Sequence, residues 1–542
     1  MIRVKLKYEL RKRVNYSTIR KSLLERKINV KSYMLGVDIG TTSTKAVLFD
    51  LKGNAFQQSS VEYPLNVPEP GAAEQDPKEI LEAVKESIRT VMKRSEIDKN
   101  ALKFISFSAA MHSVIAVDKE GNPLTPSITW ADQRSEPYAE KIKIQTGLEL
   151  YKKTGTPIHP MSPLTNICWI REEKPDIFKQ TAKFIGIKEY VFKAFFNEYV
   201  VDHSIASATG LLNIYTMDWD AEALEIAGIG PDQLSKLVPT TSQYKDIDPI
   251  LADEMGISSE VTFIIGANDG CLANLGVDAV MPGEVAITIG TSGAIRTVTD
   301  KPVTDEKGRT FCYALTENHW VIGGPVNNGG MVLRWLRDEF CSEEVKIAKE
   351  QNQNPYDLIT DRIDQVAAGS EGLLFHPYLS GERAPSWNAN ARGSFFGLAM
   401  HHKREHMMRA VLEGINMNIY MVLLALEELI GTPKEVRATG GFAHSAVWRQ
   451  MVADIFGQEV HVPETVESAC LGAAILGLYA MGEIDDLSEV KKMVKTRTIN
   501  HPDKEKGLVY KELLPIFIRL SRLYEQEYEA IVDFQNQYTN RI

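Results

Sequence analysis

The sequence predicts an α/β protein built from two related domains with a cleft between them. The first observation is the segment 38–45, in which a Gly-Thr-Thr-Ser turn stands between two apolar runs. The second is its counterpart at 285–295, where Gly290-Thr291-Ser292 stands between two further apolar runs. A strand–turn–strand unit that recurs in both halves indicates two domains of common architecture. The third is length, because 542 residues suffice for two large domains.

The composition is that of a folded protein without a membrane anchor or a disulfide framework. Hydrophobic residues make up 44% and charged residues 25% of the chain, which allows a large core. No apolar run reaches the roughly 18–20 residues of a membrane span, and the N-terminus lacks the apolar core of a secretory signal. The five cysteines are scattered, which fits reduced thiols. We therefore expect a cytoplasmic protein with no membrane partner.

Positive charge is concentrated at the N-terminus. Residues 1–33 carry eleven Lys and Arg against two acidic residues, whereas the whole chain has a formal net charge of −11. This extension could contact nucleic acid or anionic lipid, could be a targeting peptide, or could be an inert segment upstream of an alternative start at Met34. The globular pattern begins abruptly at Met34, which favours the inert segment. We therefore expect no nucleic-acid partner.

Short strands and helices alternate in the first predicted domain, 34–280. A helix at 77–94 begins after Asp76-Pro77, a pair that suits an N-cap and a first helical turn. The second predicted domain, 281–542, restarts with a strand at Val285, and its clearest helix is 404–430, where apolar residues recur at helical spacing. Strands of the first domain are predicted at 34–39, 45–50, 55–62 and 104–108.

The two glycine turns form the predicted phosphate site. Each turn offers backbone N–H groups and hydroxyl groups at one concave point, and an Asp stands directly before the first turn. The P-loop and dinucleotide-binding fingerprints do not occur, which leaves the paired turns as the candidate. The predicted phosphate-binding residues are Gly40, Thr41, Thr42, Ser43, Lys45, Gly290, Thr291 and Ser292.

Three further segments suggest a polyol site beside the phosphates: Met111-His112, 130–134 and Asn268-Asp269. Asp269 follows the apolar run 263–266 and could accept a proton from a hydroxyl group, although a plain turn is the alternative. The segment 130–134 combines an aromatic ring, a carboxylate and a guanidinium, a mixture that suits a polyol; a surface ion pair is the alternative. The predicted substrate-binding residues are Met111, His112, Trp130, Asp132, Arg134, Asn268 and Asp269.

Two glycine pairs precede predicted helices in the second domain, at 329–330 and 440–441. Glycine lets the backbone approach a flat ring closely, so these pairs could lie on either side of an adenine. Helix capping is the alternative.

Taken together, these residues resemble the FGGY carbohydrate kinases of the actin-like ATPase superfamily. The segment 38–45 is similar to the first phosphate hairpin of the family, and Gly290-Thr291-Ser292 to the second. The segment 393–413 is similar to the C-terminal signature. The segment 161–170 resembles the N-terminal signature, with Asn166 in place of the usual Lys.

The resemblance implies two ribonuclease-H-like domains flanking a nucleotide cleft, with ATP as phosphate donor and Mg²⁺ on its phosphates. It implies two catalytic residues: Asp269 as general base, and Asp38 at the magnesium–phosphate site, acting through water. It also implies a small-molecule sugar substrate and a homodimer. The residues implied to hold the adenosine are Gly330, Arg334, Gly441 and Ser445.

The segment 386–393 resembles the gluconate kinase branch, because Asn388 stands where many relatives carry Asp. Removing a carboxylate lessens the repulsion of an anionic substrate, and Arg134 and His159 would then meet its acid group. The implied reaction is phosphorylation of D-gluconate to 6-phospho-D-gluconate. A xylulose kinase is the alternative, and a catalytically inactive sugar-sensing regulator is an alternative from another class.

Overall fold

The computed structural model describes residues 32–464 and 467–539, which fold into two α/β halves, each around one mixed sheet. Most of the predicted basic extension, residues 1–31, lies outside the described residues. The first strand begins at Tyr33, which is buried and pairs with Asp50 of the second strand. The first strand therefore begins one residue before the predicted start at residue 34.

The N-terminal half contains fourteen described strands and nine helices. The strands are β1 (Tyr33–Ile39), β2 (Ser43–Asp50), β3 (Ala55–Glu62), β4 (Glu74–Gln75), β5 (Leu102–Ala109), β6 (Ile115–Val117), β7 (Ser127–Ile128), β8 (Lys183–Ile185), β9 (Val200–Asp202), β10 (Leu212–Asn213), β11 (Asp218–Trp219), β12 (Lys236–Val238), β13 (Gln243–Tyr244) and β14 (Thr262–Asn268). The helices are α1 (Pro77–Ser95), α2 (Glu136–Thr154), α3 (Pro163–Glu173), α4 (Pro175–Gln180), α5 (Ile187–Phe196), α6 (His203–Ser207), α7 (Ala221–Ala227), α8 (Pro249–Met255) and α9 (Asp269–Gly276).

The C-terminal half contains nine described strands and seven helices. The strands are β15 (Glu284–Ile289), β16 (Gly293–Thr299), β17 (Phe311–Thr316), β18 (His319–Val326), β19 (Leu374–His376), β20 (Ser394–Phe396), β21 (Glu435–Thr439), β22 (Val460–Pro463) and β23 (Thr496–Asn500). The helices are α10 (Gly330–Phe340), α11 (Ser342–Gln351), α12 (Pro355–Asp364), α13 (Arg404–Ile430), α14 (Ala446–Phe456), α15 (Ser468–Ala480) and α16 (Lys504–Thr539).

The two main sheets share one strand order. The N-terminal sheet runs β3-β2-β1-β5-β14-β13, and the C-terminal sheet runs β17-β18-β16-β15-β21-β22-β23, which is the same order with β17 added at one edge. In each, the first strand pairs antiparallel with the strand after its glycine turn and parallel with a later strand, β5 or β21. The α/β class and the two related domains that the sequence predicts are therefore present.

One helix joins the halves more closely than the predicted division at residue 280 implies. The sheets do divide there, between α9 and β15, but α15 returns to cover β1, β5 and α9 of the first half. Glycines allow this close approach: a Cβ on Gly472 would lie 1.9 Å from the Leu272 carbonyl oxygen, and one on Gly36 would lie 2.0 Å from that of Cys470. The second segment of the chain thus completes the core of the first.

Helix α13 runs through the C-terminal core with the predicted bounds of 404–430. It is the one helix in the described ranges that is long and apolar enough to cross a membrane, yet 78% of its apolar window is buried inside the protein. That burial is typical of a core helix.

Candidate active site

Both glycine turns open onto one cavity between the halves. Thr41 of the first turn and Gly290, Thr291 and Ser292 of the second line this space of about 260 Å³, and Asp269 lines it as well. Each turn directly follows the first strand of its sheet, β1 or β15, and residues of both turns line the same cavity. We call this space the substrate cavity.

Backbone hydrogen bonds hold each turn tight. In the first turn the Gly40 N–H donates to the Ser43 carbonyl oxygen at 3.0 Å, and Trp130 Nε1 donates to Thr41 Oγ1 at 2.9 Å. In the second, the Gly290 N–H donates to the Ser292 carbonyl oxygen at 2.9 Å. Thr42 is exposed at the tip of its turn. The turns are thus preorganised to present N–H and hydroxyl groups to an anion.

Asp269 begins α9, directly after β14 ends. Its Oδ1 accepts a hydrogen bond from the Gly270 N–H at 2.7 Å, and burial raises its pKa, while the charge of Arg296 opposes that rise. A raised pKa suits a carboxylate that must take up a proton during a reaction.

The neighbouring Asn268 does not line the substrate cavity. Its Oδ1 accepts from the Cys271 N–H at 2.8 Å, and its Nδ2 donates to Ser204 Oγ at 2.9 Å. Asn268 therefore caps the helix that carries Asp269. The sequence prediction that it contacts substrate is not supported by this placement.

A buried ion pair fixes the end of the strand before Asp269. Lys188 Nζ lies 2.7 Å from Asp202 Oδ2 and donates to the Ala267 carbonyl oxygen at 3.1 Å. Because a buried charge is stable only when it is paired and hydrogen-bonded, this contact locks the backbone that presents Asp269.

Asp38 lies at the end of β1, beside the first turn. Its Oδ1 accepts from Ser108 Oγ at 2.6 Å, and burial together with the charge of Asp269 raises its pKa to about 6. A cation at this point would relieve the repulsion between the two carboxylates. The described residues hold no group of three or more His, Cys, Asp or Glu side chains suited to a metal.

Lys45 does not reach the substrate cavity. Its Nζ lies 2.9 Å from Glu467 Oε2, which connects β2 to the start of α15. The lysine thus joins the two halves of the chain, and its predicted phosphate contact would require it to leave that pair.

The substrate cavity is also lined by Met111, His112 and Trp130, which the sequence predicts to bind substrate. His112 has a φ of 69°, a left-handed conformation that a side-chain-bearing residue adopts only when its surroundings impose it. Its Nδ1 lies 2.7 Å from the Ala208 carbonyl oxygen, and burial lowers its pKa to about 3. The ring is therefore neutral, and its Nε2, which lies 3.5 Å from the Tyr313 hydroxyl, can accept a hydrogen bond.

The structure corrects the predicted roles of Arg134 and Asp132. The Arg134 guanidinium binds three carboxylates, with distances of 3.0 Å to Glu69, 2.6 Å to Glu74 and 2.8 Å to Asp132. Its other face stacks on Trp169 at 4.3 Å. Because each guanidinium nitrogen of this arginine is bound to a carboxylate outside the substrate cavity, Arg134 is not placed to meet a substrate acid group.

His159, the second residue expected to meet an acid group, is also outside the substrate cavity. It accepts from the Met161 N–H at 3.1 Å and packs edge-on against Trp387, and burial lowers its pKa well below the usual value. A neutral, packed histidine offers no charge to an anion.

Two arginines that line the substrate cavity, Arg296 and Arg383, were not predicted from the sequence as substrate-binding residues. Arg296 projects from β16, and Arg383 lies in the loop after β19 with its guanidinium 4.8 Å from the Trp130 ring. Arg296 stands two residues beyond Ala294, which also lines the cavity. A single arginine on the same face of the strand as Ala294, in an otherwise apolar segment, could have indicated Arg296 from the sequence.

A second cavity of about 330 Å³ adjoins the first and shares Gly290 and Thr291 with it. All four residues implied to hold adenosine line it: Gly330, Arg334, Gly441 and Ser445. Phe442 and Trp448 add apolar walls, and Ser445 caps α14 by accepting from the Trp448 N–H at 3.3 Å. An apolar slot that opens onto two phosphate turns fits a purine nucleotide.

Comparison with known proteins matches this architecture over nearly the whole chain. A gluconokinase of Bacillus subtilis (strain 168) is 58% identical over 506 residues, which are 93% of this chain and 98% of that protein. A gluconate kinase structure from Lactobacillus acidophilus has a TM-score of 0.87 and 37% identity, and covers 92% of this chain and 100% of its own. A ligand-bound xylulose kinase structure from the same organism has the same values.

Family models agree with the two halves. The N-terminal domain model of the FGGY family of carbohydrate kinases matches residues 33–276, and the C-terminal domain model matches residues 285–481. These matches confirm the predicted pair of actin-like ATPase domains. This chain therefore belongs to the FGGY family of carbohydrate kinases.

Proposed function

We propose that this protein transfers the γ-phosphoryl group of ATP to the C6 hydroxyl of D-gluconate, giving 6-phospho-D-gluconate. The observation that carries the proposal is the substrate cavity, which is lined by Asp269, both phosphate turns and the side chains of Met111, His112 and Trp130. The extensive similarity to gluconokinase supports gluconate as the acceptor. The adjoining adenosine cavity supports ATP as the donor.

In the proposed reaction, Asp269 accepts the proton of the C6 hydroxyl as its oxygen attacks the γ-phosphorus. The N–H and hydroxyl groups of Thr41, Thr291 and Ser292 hold the charge that develops on the transferred group. His112 accepts a hydrogen bond from a sugar hydroxyl, and Met111 and Trp130 pack on the carbon chain. Thr42 and Ser43 bind the phosphates through the backbone. Gly40 and Gly290, whose N–H groups close the two turns, let the phosphates approach the backbone closely.

Asp38 fits a role at the magnesium that accompanies ATP. Its carboxylate stands next to the first turn, and its raised pKa shows that a positive partner would stabilise the charged form. Mg²⁺ supplies charge neutralisation on the phosphates when it is bound, and Asp38 would hold it through a water molecule.

D-Xylulose is the second candidate acceptor, because a ligand-bound xylulose kinase structure is 37% identical to this chain. A neutral pentulose offers no negative charge to the unpaired Arg296 and Arg383 of the cavity. That difference favours gluconate. The inactive regulator is disfavoured because both Asp38 and Asp269 are in place.

An ATP-turnover panel tests the proposal. The full chain is assayed with D-gluconate, D-xylulose, ribulose, glycerol and rhamnulose at matched concentrations, and the phosphorylated product is identified by phosphorus NMR. We expect the highest kcat/KM with D-gluconate and a phosphate ester at C6. A higher kcat/KM with D-xylulose would replace gluconate by the pentulose, and ATP hydrolysis without any ester would refute a sugar kinase.

A further inference from the structure

The substrate cavity contains two arginines that no carboxylate of the described residues approaches within ion-pair distance. Arg296 and Arg383 both line the cavity, and the Nε atom of each is buried without a hydrogen-bond partner. Within the described part of the chain neither forms an ion pair. Arg134 and Arg409, in contrast, are bound to carboxylates at 2.8 Å and 2.7 Å.

Leaving two guanidinium groups unpaired is costly in this protein. Arg383 is 8% exposed, and burial joined by the charge of Arg296 lowers its pKa to about 10. Burial lowers the pKa of Arg296 as well. An anion placed between the two groups would remove both the desolvation cost and their mutual repulsion.

Arg296 lies on the strand that leads away from the phosphate turn at Gly290, and its Nε is close to the start of α9, where a Cβ on Gly270 would lie 3.1 Å from it. From the turn at Gly290, strand β16 turns Ala294 and then Arg296 towards the cavity, and two residues of strand advance about 6.6–6.8 Å. Arg296 thus stands one step farther from the phosphate turn than Ala294. The small Ala294 side chain leaves room for the carbon chain of a substrate between the turn and Arg296.

Arg383 is held rigidly on the other side of the cavity. The buried carboxylate of Glu382 accepts hydrogen bonds from the Arg383 N–H at 2.8 Å, Asn328 Nδ2 at 3.0 Å and Asn418 Nδ2 at 2.7 Å. The guanidinium stacks on Trp130 and donates to the Val326 carbonyl oxygen at 3.3 Å through one Nη. Its remaining N–H groups are preorganised for another acceptor.

We propose that Arg296 and Arg383 together bind the carboxylate of an aldonic acid substrate, at the end of its carbon chain opposite the hydroxyl that is phosphorylated. The planar fork of donors on each guanidinium matches a carboxylate, which accepts on both oxygens. This inference rests on the proposed function and replaces Arg134 and His159 as the acid-binding residues.

The test compares D-gluconate with D-gluconamide, which has the same carbon chain and C6 hydroxyl but no charge. Steady-state kcat and KM are measured for the full chain and for Arg296→Met, Arg296→Lys and Arg383→Met. Arg89→Met is the matched control, because Arg89 is an exposed arginine of α1 that pairs with Glu86. Thermal melting of each variant reports whether it is folded.

We expect each methionine variant to lose roughly 10–100-fold in kcat/KM for gluconate, chiefly through KM, since a hydrogen-bonded charged contact is lost. Turnover of gluconamide should change by less than threefold, and Arg296→Lys should fall between wild type and Arg296→Met because it keeps the charge without the fork. Arg89→Met should match wild type on both compounds. If Arg383→Met does not fold, the two Arg296 variants decide the result.

Equal losses on gluconate and gluconamide would overturn the inference, because Arg296 would then act on Asp269, whose pKa it lowers, and not on the acid group. An unchanged preference for gluconate in both methionine variants would also overturn it while leaving the proposed function intact. A wild-type protein that does not phosphorylate gluconate would reject the proposed function and the carboxylate site together.

Discussion

At the scale of single residues, two carboxylates are central to the proposed chemistry. Asp38 lies in β1, Asp269 directly follows β14 of the same sheet, and the charge of Asp269 raises the pKa of Asp38. Neither has a lysine or arginine within ion-pair distance in the described residues. More distant charges act on both carboxylates, because that of Arg296 lowers the pKa of Asp269 and that of Lys45 lowers the pKa of Asp38. Two buried carboxylates with raised pKa values are typical of a functional site.

Asp269→Asn removes the proposed general base and keeps the shape of the side chain. We expect kcat to fall by about 10²–10⁴, because this is the usual contribution of a positioned base. The affinity for ADP, measured by calorimetry, should remain within a few-fold of wild type since the adenosine cavity is untouched. Turnover close to wild type would show that another group takes the proton.

Asp38→Asn should increase stability while it decreases activity. Because the folded-state pKa of Asp38 is about 6 and the unfolded value is 3.8, ionisation of Asp38 opposes folding as the pH rises from about 4 to 6. The variant should therefore gain about 1–3 kcal/mol in the free energy of unfolding above pH 6, and nothing below pH 4. Urea unfolding at pH 4 and pH 7.5 measures this difference; an equal effect at both pH values would contradict it.

At the scale of secondary-structure elements, the sequence predicted what local chemistry determines. The turns at Gly40 and Gly290 were visible because a tight phosphate-binding turn needs glycine and hydroxyl residues at fixed positions. Helix α1 was visible because Asp76 caps it, accepting from the Lys78 N–H at 2.8 Å. The boundaries of α13 followed from its apolar periodicity.

What the sequence did not predict depends on contacts between distant segments. Arg134 was assigned to substrate, but its partners Glu69 and Glu74 lie some 60 residues away in sequence and only the fold brings them together. The proposed carboxylate site could not be predicted for the same reason, because β16 and the loop after β19 meet only across the cavity. The position of α15 against the first sheet is likewise determined by packing between segments that are distant in sequence.

The contact between α9 and α15 gives a prediction about a single methyl group. Gly472→Ala would place a Cβ 1.9 Å from the Leu272 carbonyl oxygen, so the helices must separate. We expect a loss of about 1–3 kcal/mol in the free energy of unfolding, the usual cost of overpacking. Urea denaturation measures it.

Gly147→Ala is the control for this substitution. Gly147 also lies inside a helix, α2, but a Cβ there would meet no atom closer than 3.5 Å. Alanine should therefore stabilise this helix by about 0.5–1 kcal/mol. Equal destabilisation by both substitutions would mean that the helix–helix contact is not the cause.

At the scale of the whole molecule, the two halves are joined by the packing of α15 and also by polar contacts around the cleft. The ion pair of Lys45 and Glu467 links them at 2.9 Å, Lys143 Nζ donates to the Trp387 carbonyl oxygen at 3.3 Å, and the Ala314 N–H donates to Ser207 Oγ at 3.0 Å. Such polar contacts can break and re-form, whereas the packing of α15 against β1, β5 and α9 holds residues of both halves in one apolar cluster.

Deleting residues 1–31 tests whether the basic extension is inert. Because Tyr33 is the first residue of β1 and is buried, the deletion must stop before it. We expect unchanged kcat, KM and melting temperature. A loss of soluble protein would contradict this prediction, and a shift of a nucleic-acid band in a gel caused only by the full chain would show that the extension binds nucleic acid.

The return of α15 to the first sheet has a consequence for how the chain is made. The apolar side chains of Met34, Phe49 and Phe104 find their cover in Leu471 and Ile475, which leave the ribosome long after α9. At about 5–20 residues per second, the roughly 200 residues in between take about 10–40 s to translate. A nascent chain therefore carries an unfinished hydrophobic surface for much of its synthesis, and chaperones that shield such surfaces should raise the yield of this kinase in cells.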